Sequence, residues 1–153
     1  MTRRLIVMRH AESSSEHRGL LDHDRTLNTQ GQRDACLIGD ALAEREWLPQ
    51  LVLVSSSTRT LETMEGMAQH MEGVRAEVRP EIYHAGISTL LTQLEGILDE
   101  GTTMILGHNP GSEVLINHLT GEWHTMPPAA AALLSESGGD WLIEGIIRPR
   151  EIN

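Results

Sequence analysis

An α/β fold with a mostly parallel central sheet and a C-terminal antiparallel hairpin is the class this sequence predicts, and three observations predict it. Short apolar runs alternate along the chain with stretches of helical periodicity. Three of those runs stop abruptly, at Arg9-His10, at Ser55 and at Gly107-His108, and each leads into a polar loop or a helix start. The last two apolar segments are instead joined by a turn signal, Ser137-Gly138-Gly139-Asp140.

The first run, Leu5-Ile6-Val7-Met8, is too short for a helix and reads as a buried strand. It delivers Arg9 and His10 to its carboxyl end, the edge at which open α/β sheets bind ligands. Arg is always charged and forks onto phosphate oxygens, whereas a neutral imidazole offers a lone pair. The neighbouring guanidinium disfavours protonation of the ring, so His10 is expected to stay neutral and nucleophilic near pH 7. Alone, an Arg-His pair is unspecific. Its weight comes from the two later strand ends.

Ser13 to Asn28 is polar, carries His17, Asp22, His23, Asp24 and Arg25, and reads as a surface loop near the site. Thr29 and Gln32 have capping-box spacing, which places Thr29 as the cap of a helix from Gln30 to about Glu46 with Ala35, Ile38, Ala41 and Leu42 on one face. Pro49 ends the connection, and Leu51-Val52-Leu53-Val54 reads as a second buried strand. A helix follows Ser55-Ser56-Ser57-Thr58-Arg59-Thr60, with Leu61, Met64, Ala68 and Met71 in a stripe that reads as core filling. Arg59 falls in its first turn, where free amides and the helix dipole already favour anions. A cation there is mildly unfavourable for the helix but well placed to clamp an anion.

Gly73 breaks that pattern, Val74 to Val78 reads as a short strand, and Pro80 to His84 as a loop. Ser88 is the expected cap of a helix whose Leu90, Leu91, Leu94, Ile97 and Leu98 share one face, closed by Asp99-Glu100-Gly101. Thr103-Met104-Ile105-Leu106 is the next strand and runs directly into Gly107-His108-Asn109-Pro110-Gly111. Gly107 permits close backbone approach, Pro110 fixes the turn, and Ser112 is the expected cap of a helix through Leu115, Ile116 and Leu119. A lone His is most often structural, but in this strand-to-helix turn a functional role for His108 is the better reading. Glu122 to Pro128 reads as loop and Ala129 to Ser135 as an apolar strand. Trp141, Ile143 and Ile147 alternate as its partner.

The totals narrow the function. A chain of 153 residues fits one domain, 1–153, and can bury a real core. Aromatic residues are only 3% and Phe is absent, which argues against a base-stacking platform. A net charge of −10 repels nucleic acid and acidic membrane surfaces, so an anionic ligand must be drawn by a local pocket. The single Cys36 cannot form an internal disulfide and is expected as a small buried hydrophobe in a helix. No apolar run approaches a membrane span, no signal-like segment is seen, and a cytoplasmic location is the expectation.

Parallel strands bring their carboxyl ends to one edge, so Arg9, His10, Arg59 and His108 are expected to converge. Two guanidiniums and an imidazole would then surround the non-bridging oxygens of a phosphoryl group while His10 attacks phosphorus. With Leu-Ile-Val-Met-Arg-His-Ala-Glu at 5–12, Arg-Thr-Leu-Asn-Thr-Gln-Gly at 25–31, Ser-Ser-Ser-Thr-Arg-Thr at 55–60, Gly-His-Asn-Pro-Gly at 107–111 and Met126-Pro127, the chain resembles the histidine phosphatase (phosphoglycerate mutase-like) superfamily. Within it the small SixA-type phosphohistidine phosphatases are the nearer likeness. The resemblance implies a three-layer α/β/α sandwich, His10 as the phosphorylated nucleophile, Arg9, Arg59 and His108 holding the phosphoryl group, and no metal or organic cofactor. Many relatives carry an acidic proton donor, and Glu81 lies in the corresponding stretch. The stretch between the Arg59 helix and the His108 strand leaves no room for a helical lid, which suits a phosphate displayed on a protein or a modest-sized metabolite.

The reading expected is therefore a phosphatase acting on protein phosphohistidine through a covalent intermediate on His10, as a monomer. Its rivals are a phosphomonoesterase or mutase of the same superfamily and a phosphate-binding module without catalysis. A metal-dependent hydrolase is disfavoured because the eight His show no His-Glu-x-x-His spacing. A P-loop enzyme is excluded because the chain contains no Lys. His17, His23, Arg25 and His84 border the expected pocket, and whether they reach substrate is left open.

Overall fold

The computed structural model describes residues 2–14 and 19–152. Strands β1 (Arg3–Arg9), β2 (Leu51–Val54), β3 (Arg75–Val78), β4 (Gly101–Gly107), β5 (Ala131–Ser137) and β6 (Asp140–Ile147) form one six-stranded sheet in the order β3-β2-β4-β1-β5-β6. The first four are parallel, β5 runs antiparallel to β1, and β6 antiparallel to β5.

Apolar runs without alternation belong to strands covered on both faces, and the side chains of these strands sort into two clusters. Ile6, Met8, Val52, Val54, Met104 and Leu106 face one side and pack with Ala35, Ile38 and Leu42 of helix α1 (Thr29–Glu44) and with residues of helix α2 (Thr58–Gly66) and Met67 beyond it. Leu5, Val7, Leu51, Leu53 and Ile105 face the other and pack with Leu90 of helix α3 (Ile87–Gln93) and Leu115 and Ile116 of helix α4 (Gly111–Thr120). The result is a three-layer α/β/α sandwich.

What matters for function is the level at which the strands end. Arg9 of β1 stands opposite Gly107 of β4, and Val54 of β2 opposite Leu106 of the same strand. The pairing continues one step into the loops, where the His10 amide donates to the Gly107 carbonyl and the Ser55 amide to that of Leu106. Three carboxyl ends thus finish side by side on neighbouring strands.

Several expectations are corrected. Asn28 caps α1 in place of Thr29, its side-chain oxygen accepting the Gly31 amide at 2.8 Å, and Thr29 is the first helical residue. Ser88 lies inside α3, whose N-terminal neighbour Gly86 offers no side chain to cap it. That helix stops at Gln93 and tightens into a 3₁₀ turn, Leu94–Gly96, so Ile97 and Leu98 lie beyond the regular helix. Ser112 caps nothing, because its hydroxyl donates back to the His108 carbonyl at 3.0 Å. In α2 the fully buried positions are Arg59, Thr60 and Thr63, while Leu61 and Met64 only half-bury at the edge. Cys36 is exposed, one residue and so about 100° around the helix from buried Ala35.

The terminal hairpin also departs from simple alternation. Leu133 pairs with Gly145 and Leu134 with Ile143, leaving Glu144 as an extra residue in β6. This bulge inverts the facing of everything after it: Trp141 and Ile143 pack in one layer and Ile147 in the other.

Gly31 ties α1 to the functional end of β1. A Cβ added there would stand 2.1 Å from the carbonyl oxygen of Glu12, a backbone atom that also accepts the Asn28 amide. Gly31→Ala in an unobstructed helix would gain about 1 kcal/mol. Here urea denaturation is expected to show a net loss of about 1–3 kcal/mol from overpacking. A stabilised variant would contradict this packing.

Candidate active site

Each predicted side chain is held by its own strand end. His10 follows β1 and is 8% exposed. Its Nδ1 lies 2.7 Å from the Ala11 carbonyl, which can only accept, so the ring proton sits on Nδ1. On the other side the Arg59 Nε–H, which can only donate, points at His10 Nε2 at 3.4 Å. Two independent neighbours therefore assign the same tautomer and leave an Nε2 lone pair facing the site. Burial, reinforced by the charges of Arg59, Arg9 and Arg25, lowers the His10 pKa from 6.5 to about 4.

Arg59 occupies the first turn of α2, behind the cap Ser57, whose side chain accepts the Thr60 amide. It is 3% exposed, an extreme burial for a guanidinium. Thr63, one turn on, donates to the Arg59 carbonyl at 2.7 Å and accepts the Ala11 amide at 2.9 Å, so one hydroxyl fixes the Arg59 helix against the His10 loop.

His108 follows β4, with its ring centroid 5.3 Å from that of His10. Its Nε2 is 2.9 Å from the Ser55 hydroxyl. The Ser55 oxygen also accepts the Ser57 amide, and in the tautomer that takes the Ser55 proton at His108 Nε2 the ring hydrogen lies on Nδ1. That Nδ1 is buried and has no partner among the described residues. Burial and the nearness of His10 and Arg59 lower the His108 pKa to about 3, so it is a neutral N–H donor.

Arg9 is half-buried and donates through Nη1 to the Met126 carbonyl at 3.0 Å. Asn109 Nδ2 donates to the same carbonyl, and Glu113 accepts from both the Met126 amide and Asn109 Nδ2. The Arg9 Nε is buried without a partner among the described residues. Buried donors left unpaired carry a desolvation penalty that a bound acceptor removes. Arg9 Nε–H is one such donor, and His108 Nδ1 is a second buried position without a partner among the described residues. Beside them the His10 Nε2 lone pair is held only by the long 3.4 Å contact from Arg59 Nε, and the set is suited to gripping a phosphoryl group and attacking its phosphorus.

The structure thus brings His10, Arg59 and His108 into direct proximity, with Arg9 close enough to depress the His10 pKa. Around them lies a rim. His23 Nε2 is 2.8 Å from the Ser56 hydroxyl, Arg25 donates to the Ser13 hydroxyl and to Asp22, and the exposed His84 ring sits 5.2 Å from His108. His17 lies outside the described residues. Glu81 is exposed in a 3₁₀ turn and makes no hydrogen bond to the site among the described residues. Ser55, Thr63 and Asp22 contribute more than their sequence signals suggested. The Ser-Thr run at 55–60 names a strand end but not which hydroxyl meets the imidazole.

A profile of the histidine phosphatase superfamily (branch 1) matches residues 5–87. An uncharacterised chloroplastic protein of Arabidopsis thaliana is 35% identical over 172 residues, covering 97% of this chain and 79% of its own. An uncharacterised protein of Mycobacterium leprae is 36% identical over 122 residues, covering 74% and 71% respectively. Among solved structures, a protein of Agrobacterium tumefaciens provisionally assigned as the phosphohistidine phosphatase SixA superposes with a TM-score of 0.87 at 27% identity, covering 95% of this chain and 97% of that one. The protein histidine phosphatase SixA complexed with tungstate shares the fold at a TM-score of 0.84 and 22% identity, covering 96% and 97%. The profile match and the fold agree with the ordered strand-end motifs, and the chain belongs to the histidine phosphatase superfamily, branch 1, with the small SixA-type architecture.

Proposed function

We propose that the protein is a phosphatase that removes the phosphoryl group of protein phosphohistidine through a covalent intermediate on His10. Membership of the histidine phosphatase superfamily supports phosphatase activity. The observation that carries the finer reading is the His10 Nε2 lone pair, held unprotonated and facing the buried Arg59 guanidinium.

In this reading Arg9, Arg59 and His108 receive the non-bridging oxygens and offset the charge that spreads over them. The Nε2 pair forms a bond to phosphorus as the bond to the leaving group breaks, and water then cleaves phospho-His10 to free the imidazole and phosphate. Without a carboxylic acid hydrogen-bonded into the site among the described residues, alkoxide leaving groups are disfavoured. Glu81 is exposed and makes no hydrogen bond to the site among the described residues. Phosphohistidine needs no such acid, since its leaving imidazole accepts a proton before the bond breaks. The substrate is then a phosphorylated protein approached by a monomer, with a small phosphorylated metabolite as the competing class.

Incubation with a histidine-phosphorylated protein and with p-nitrophenyl phosphate tests the reading. Wild-type protein is expected to form an acid-labile phosphoryl adduct on residue 10 and to prefer the phosphohistidine substrate. His10→Ala should lose turnover by at least about a thousandfold. Near-wild-type turnover in that variant, or a strict requirement for divalent metal, refutes the mechanism. Exclusive use of the ester shifts the substrate to the metabolite class.

The protonation state is checked separately by NMR. The His10 ring resonance, assigned by its loss in His10→Ala, should titrate with a midpoint near 4. A midpoint near 6.5 would mean the ring is not held neutral by its surroundings.

A further inference from the structure

Asp22 lies outside the phosphoryl grip, yet it joins the two walls of the site. Its backbone carbonyl accepts from Arg59 Nη1 at 2.7 Å and its Oδ2 from Arg59 Nη2 at 3.2 Å. The same Oδ2 accepts from the Tyr83 hydroxyl and lies 3.0 Å from His84 Nε2. Oδ1 accepts from Arg25 at 3.1 Å, and among the described residues from nothing else. Because Arg59 Nε also touches His10 Nε2, the carboxylate stands one guanidinium width from the attacking nitrogen.

The direction of attack decides what this anion meets. His10 Nδ1 is tied down to the Ala11 carbonyl, so Nε2 points away from the base of the site. In-line displacement puts the leaving atom on the far side of phosphorus, toward the rim that Asp22 spans. An ester leaving group gathers negative charge there, and a carboxylate repels it. Phosphohistidine in its reactive, protonated form brings a cationic ring whose distal nitrogen carries the N–H. A carboxylate accepts the N–H and favours the cation. The Tyr83 and His84 rings, with centroids 4.2 Å apart, flank the carboxylate and offer planar surfaces to an incoming imidazole.

Deepening the reading above and resting on it, we infer that Asp22 is a specificity-determining residue that selects phosphohistidine over phosphate esters by accepting the distal N–H of the leaving imidazole. The atoms balance without a further reactant. The ring enters protonated on its distal nitrogen, the P–N pair returns to the proximal nitrogen as His10 bonds phosphorus, and neutral imidazole departs. Asp22 remains a carboxylate throughout, since the Tyr83 hydroxyl and then His84 hold its pKa well below the usual carboxylate range. It is therefore an acceptor for this leaving group and not a proton donor for esters.

The test compares kcat/KM for a histidine-phosphorylated peptide and for p-nitrophenyl phosphate in wild type, Asp22→Asn and Asp22→Glu. The Asn variant is expected to lose at least tenfold on the peptide and to gain on the ester, and the Glu variant to recover part of the ratio. A ratio unchanged in Asp22→Asn overturns the inference, as does an equal fall on both substrates, which would make Asp22 only a support for Arg59. Wild type that prefers the peptide while the variants keep that preference defeats this inference alone. Wild type that hydrolyses only the ester defeats the proposed function and this inference with it.

Discussion

The chemistry of this fold depends on an imidazole kept uncharged among fixed cations. Burial is the largest cause of the low His10 pKa, and Arg59, Arg9 and Arg25 add to it, because a protonated ring in that place would be both desolvated and repelled. The same arrangement has a consequence for stability. An unfolded chain takes up a proton on this residue near pH 6.5, the folded one only near 4. As pH falls through that window the unfolded state binds more protons, so stability contributed by His10 is intact above 6.5 and declines toward 4. His108, lowered further by burial, acts in the same direction.

The sheet supplies the geometry that this electrostatic arrangement needs. Loops alone would not hold buried charges in register, but β1, β4 and β2 are neighbours whose carboxyl ends are level to within a residue. Hydroxyls and a carboxylate then complete the fixation. Thr63 locks the Arg59 helix to the chain just after His10, Ser55 contacts the His108 ring, and Glu113 accepts the amide of Met126, the residue whose carbonyl steadies Arg9. Arg9 Nε and His108 Nδ1 remain buried without partners among the described residues.

Much of this was legible in the residues. Uninterrupted apolar runs announced strands buried on both faces, and the polar residues at their ends named Arg9, His10, Arg59 and His108 together. What escaped was local. Asn28 and Thr29 are both good caps, and the fold uses Asn28, whose side chain takes the Gly31 amide where α1 passes close to the Glu12 carbonyl. Cys36 looked buried because it sits in an amphipathic helix, but its angle about the axis turns it outward. The bulge at Glu144 has no signal in a pattern of alternating residues, and it moved Ile147 to the opposite layer. Asp22 read as one of several polar loop residues. Its significance depends on Tyr83, His84 and Arg59, partners from distant parts of the chain that meet only in the folded protein.

The most direct measurement is a crystal structure with orthovanadate, which adopts the five-coordinate geometry of phosphoryl transfer. His10 Nε2 should sit at an apical position of the vanadium, with Arg9, Arg59 and His108 donating to equatorial oxygens and the opposite apex open toward Asp22. Vanadate bound away from His10, or bound with that ring turned aside, would contradict the account.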